Sequence, residues 1–143
     1  MEKETKRNLI IIGIFAVAMA FVEMMIVYYL RALYYTNGKL FPLNISVPQE
    51  VITLEWVREI ATIIILLAVA FLVARKFKDK FAYFVYAFAI WDIFYYIWLK
   101  VALNWPSSWL EWDLLFLVPT AWASPWIAPA ICSALMIVLA VVI

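Results

Sequence analysis

Histidine is absent from this 143-residue chain, which excludes imidazole zinc sites, haem ligation and histidine general bases. The same absence removes Ser–His hydrolase and HExxH metalloprotease arrangements. A single cysteine, Cys132, allows no intrachain disulfide and no CxxC pair. It stands among Ala and Ile and reads as a small packing residue. Two glycines argue against a glycine-rich phosphate loop. Charge is scarce as well: Asp, Glu, Lys and Arg together make up 15% of the chain, with a net charge of +1.

What fills the sequence is hydrocarbon. Hydrophobic residues make up 69%, against roughly 45–50% in soluble domains, and the mean hydropathy is +1.00. A water-soluble fold of this size has too little interior to hide so many Trp, Phe, Ile and Leu side chains. The expected fold is all-α: one transmembrane domain, 1–143, built as an integral membrane four-helix bundle. The spans fall at about 8–30, 51–74, 81–103 and 124–143, each near the ~20 residues that cross a bilayer. The first apolar run continues for about 23 residues, which favours a span over a cleavable leader. Asn37-Gly38, Pro42 and Pro48 mark a loop. Ser46, Pro48 and Glu50 suit the start of the second helix. Between 108 and 118 the spacing of Ser108 and Glu111 predicts a capped short helix, interfacial or re-entrant. Pro125 suits the first turn of the last span, and Pro129 would kink it unless it too lies in that turn.

Orientation follows from the basic residues. Lys3, Lys6, Arg7, Arg75, Lys76, Lys78 and Lys80 put seven of the eleven Lys and Arg on one side. Both termini are therefore expected on the cytoplasmic side of the plasma membrane. The partner is the lipid bilayer, and no nucleic acid is expected. The chain is small for a self-contained transporter, which points to a homo-oligomer or a larger membrane complex.

Against this background the charges inside the spans stand out, because an ionised group in hydrocarbon costs about 2.5–3.5 kcal/mol on insertion scales. Glu23 lies 16 residues past Arg7 and Glu59 16 before Arg75, each about 24 Å in. Asp92 is 12 residues past Lys80, about 18 Å in. Glu55, Arg58, Glu59 and Thr62 form one stripe of the second helix. Asp92, Tyr95, Tyr96 and Lys100 form one on the third. Glu23 lines up with Ala16, Met19 and Ala20, and small residues of that kind let helices approach closely. The candidate ligand-binding set is Glu23, Arg58, Glu59, Asp92, Tyr95, Tyr96 and Lys100, with no metal and no cofactor expected. Carboxylates outnumber cations, so a proton or a bound cation must balance the excess. The plainer alternative is that Glu23 and Arg58 form an ion pair that locks two helices together. The Trp residues make either an aromatic belt or a lid over a pocket built from Trp105, Trp109, Trp112, Trp122 and Trp126.

Trp91-Asp92-Ile93-Phe94-Tyr95-Tyr96, Leu103-Asn104-Trp105-Pro106-Ser107-Ser108, Trp112-Asp113 and the Pro-rich run 119–129 resemble a family of uncharacterised small polytopic membrane proteins of bacteria and archaea. The resemblance covers roughly the C-terminal 40% of the chain. It implies that the Trp-Asp pair and the Trp/Pro-rich segment are the family's hallmark, and it implies no activity.

The expected function is an outward-facing, carboxylate-rich, aromatic-lined pocket for a small cationic or amphipathic ligand, with proton-linked transport as an extension. The alternatives are an enzyme on a lipid-like substrate with Asp92 or Glu23 as acid or base, and a structural subunit.

Overall fold

The computed structural model describes residues 2–35 and 47–143. The loop signals Asn37-Gly38 and Pro42, and the capping candidate Ser46, lie outside the described residues. Four helices and one hairpin follow in order: α1 (Glu2–Tyr34), α2 (Gln49–Val73), α3 (Phe77–Leu103), β1 (Trp112–Phe116), β2 (Trp122–Pro125) and α4 (Ile127–Val142). The first three are long and apolar enough to cross a membrane. With 16 residues, α4 is about 24 Å long.

α3 is the central element. It packs against α1, α2 and α4, whereas α2 and α4 barely touch. The sequence explains why one half of the molecule is tight. Ala16 and Ala20 of α1, Ala70 of α2 and Ala87 of α3 are fully buried together with Ile12 and Leu66. Residues with so little side chain bring backbones close, and association rests on van der Waals contact where lipid offers no hydrophobic drive. Gly13 belongs to the same seam: a Cβ there would sit 3.2 Å from the Tyr86 hydroxyl of α3.

Helix ends follow local chemistry. Asn104 ends α3 in the left-handed region at φ 52°, which Asn tolerates better than most residues. Lys100 reaches forward to the freed carbonyls of Pro106 (2.9 Å) and Asn104 (3.5 Å), a favourable place for a cation at a helix C-terminus.

The expected helix over 108–118 is replaced by the antiparallel hairpin, a correction to the all-α reading. Trp112 faces Pro125, Asp113 faces Ser124 and Leu114 faces Ala123, with a bulge before Phe116 pairs with Trp122. Glu111 caps no helix, because none starts at Ser108. Its carboxylate accepts instead from the Trp105 indole (2.7 Å) and from the backbone and hydroxyl of Ser107 (2.5 and 2.7 Å). Pro119 keeps Val118 out of helical space, and Phe116 stacks on Trp122 across the strands at 6.0 Å. Pro125 therefore ends β2 rather than opening the last helix. Pro129 is the third residue of α4, where its missing N–H has no intrahelical acceptor to lose.

Candidate functional site

The helices that meet at the alanine seam enclose a cavity of about 670 Å³ beyond it, walled by α1, α2, α3, α4 and the hairpin. Its lining is mostly apolar. Trp91 belongs both to the packed seam and to the cavity wall, and so forms part of the floor. Phe116 of the hairpin stands 6.3 Å from Phe88 and 6.3 Å from Trp91 of α3. A short strand thus completes an aromatic wall begun by a helix.

Five carboxylates and two guanidinium groups line this space: Glu23, Glu55, Glu59, Asp92 and Asp113, with Arg31 and Arg58. Glu23, 2% exposed on α1, accepts hydrogen bonds from Arg58 and from the Thr62 hydroxyl of α2. Arg58 also holds Glu55 one turn back, through Nε at 2.9 Å and Nη2 at 2.8 Å. Glu59 points elsewhere, because adjacent helical residues lie about 100° apart. It accepts from the Leu117 N–H of the hairpin at 2.7 Å. Asp92 accepts from the Ser133 hydroxyl of α4 at 2.8 Å. Among the described residues, Glu59 and Asp92 form no ion pair.

Six of the seven residues singled out from the sequence line one cavity: Glu23, Arg58, Glu59, Asp92, Tyr95 and Tyr96. Lys100 is the exception and does not line it. Two turns beyond Asp92, it lies at the end of α3 beside a second cavity of about 440 Å³ with Trp109 and Trp126. There its ammonium is held by the carbonyls already described.

Three charged members of the lining stand outside the candidate set: Glu55, named only within the stripe of the second helix, Arg31 and Asp113. Arg31 stands just past the expected first span at 8–30, yet it lies eight residues after Glu23 and so on the same face. Asp113 was read as interfacial. It is 2% exposed, because strand alternation turns it inward while Trp112 stays 54% exposed. Tyr96 donates to Asp113 at 3.0 Å, and Arg31 approaches it at 3.6 Å. Three of the five Trp residues expected to form a lid stand at cavities. Trp122 lines the large cavity, whereas Trp109 and Trp126 stack at 5.6 Å over the second.

The cavity has an exposed side. Ala128 and Cys132 of α4 are exposed and also line it, which puts its opening on the helix that barely touches α2. No family model, curated protein or solved structure matches the chain.

Proposed function

We propose that this chain is an integral membrane protein of four spans with cytoplasmic termini, whose cavity binds the ammonium head of an amphipathic ligand. The basic residues cluster at the alanine-packed end, so the positive-inside tendency turns the cavity toward the opposite, outer face. α4 is short for a span, and local thinning of the bilayer accommodates such a mismatch at modest cost.

One observation carries the reading. Two carboxylates, Glu59 and Asp92, are each 8% exposed in an apolar, aromatic cavity and form no ion pair among the described residues. A cation in the cavity that both line would balance that charge, and Trp91 and Tyr95 add ring faces that attract ammonium groups. Their rings stack at 6.3 Å. The opening on α4 leaves room for an alkyl tail to extend into lipid. Binding needs this one opening. Transport would need a second, through the alanine seam.

The test uses purified protein in the uncharged detergent dodecyl maltoside, titrated with dodecyltrimethylammonium and followed by tryptophan fluorescence. Saturable binding is expected. Asp92→Asn or Glu59→Gln should each weaken it about tenfold or more, as loss of a charge-assisted contact does. Unchanged affinity in both folded variants would refute the reading.

A further inference from the structure

Arg31 and Arg58 line the same cavity but differ in one respect. Arg58 is saturated by two carboxylates, Glu23 and Glu55. Arg31 is open. Its one acidic neighbour among the described residues is Asp113, with Nη2 to Oδ1 at 3.6 Å, which is too long for a hydrogen bond. Asp113 already accepts from the Tyr96 hydroxyl and from the Leu114 N–H at 2.9 Å. Among the described residues, the Nε and Nη2 donors of Arg31 are buried without an acceptor, and so is the indole N–H of Trp91. All three belong to residues that line the one cavity. Meanwhile Trp105 supports the guanidinium from beneath, with its carbon 4.2 Å from the ring centroid.

Buried donors without acceptors are uncommon and costly. A bare ammonium ion would bring no acceptor to them, and Arg31 would repel it. An anion alone would meet five carboxylates. A molecule with both charges satisfies both ends. Building on the cation-binding reading above, we propose that the natural ligand is a zwitterionic amphiphile, its ammonium at Glu59 and Asp92 and its phosphate or carboxylate oxygens on the Arg31 guanidinium. Arginine suits that role, because its planar fork pairs with such oxyanions through two parallel hydrogen bonds. The opening on α4 makes a membrane lipid the favoured source, over a free phosphoester.

The experiment compares three compounds in the same maltoside solution: dodecylphosphocholine, dodecyltrimethylammonium and chainless phosphocholine. Dodecylphosphocholine should bind about tenfold tighter than dodecyltrimethylammonium, the gain expected of one charge-assisted pair. Arg31→Gln should erase that advantage without weakening dodecyltrimethylammonium, and Arg31→Lys should restore part of it. Equal affinity of the two amphiphiles for the unmodified protein overturns the proposal, whether or not the Arg31 variants fold. So does an Arg31→Gln variant that weakens both alike. Failure of dodecyltrimethylammonium to bind in an Asp92-dependent way would instead defeat the underlying cation reading. Much weaker binding of chainless phosphocholine supports a lipid source, and equal binding overturns that source.

Discussion

Arg58 of α2 bridges Glu23 of α1 and Glu55 of its own helix, so one guanidinium ties two helices together at the edge of the cavity. Removing one member of such a pair strands the other in a low-dielectric site. Arg58→Met should destabilise the protein by about 3 kcal/mol, the lower end for a broken buried pair, because Arg58 keeps 21% of its side chain exposed. The double variant Arg58→Met with Glu23→Gln should recover most of that loss. Thermal unfolding of the two in detergent checks both statements. Equal losses in single and double variants would contradict them.

Ser133 supplies the one hydrogen bond that Asp92 receives among the described residues. Ser133→Ala leaves that carboxylate without a donor and should cost about 1–3 kcal/mol. Dodecyltrimethylammonium should stabilise this variant more than the parent, since the cation then supplies the missing partner. Melting curves with and without the amphiphile read the difference directly.

The alanine seam predicts overpacking. Ala87 is fully buried where α3 meets the other helices. Ala87→Leu inserts three carbons into that contact and should destabilise by about 1–3 kcal/mol. Ala128→Leu, at an exposed site on α4, should leave stability nearly unchanged. Reversing that order would deny that small residues set the helix spacing.

Acid should loosen the turn between α3 and the hairpin. Slight burial pushes the Glu111 carboxyl upward, but hydrogen bonds from Ser107, Trp105 and Ser108 outweigh it and hold the group below its usual 4.5. A depressed folded-state value means the contribution is whole above about pH 4.5 and fades as pH falls through the folded value. Glu111→Gln should therefore flatten the fall in melting temperature below pH 4.5. An unchanged acid slope would show that the turn does not depend on this carboxylate.

Cys132 offers a direct view of the cavity's exposed side. It is the chain's single thiol, exposed and part of the lining. A membrane-permeant maleimide should label it, and saturating dodecyltrimethylammonium should slow the labelling several-fold. Mass spectrometry after timed quenching measures both rates. Protection that persists in Asp92→Asn would place the amphiphile elsewhere.

Residue patterns along single helices were legible in advance. Glu55, Arg58, Glu59 and Thr62 read as one stripe because helical periodicity is local, and all four line the cavity. Asp92, Tyr95 and Tyr96 followed the same rule. Lys100 lay on that stripe too, yet helix-end carbonyls hold it. Arg31 was hidden by its place at the end of an apolar run, where a basic residue is usually an interfacial stop. Asp113 was hidden because Ser108 and Glu111 carry the spacing of a helix start, whereas strand pairing with 122–125 involves residues about ten positions away.

Long apolar runs with few breakers determined three membrane-length helices from the sequence alone, since hydrophobicity and backbone propensity act within a short window of chain. Tertiary structure decided which charges meet. Whether Arg31 faces Asp113, or Glu59 an N–H of the hairpin, depends on how helices rotate and diverge beyond the alanine seam. Those relations arise between segments far apart in the chain, and no local spacing encodes them.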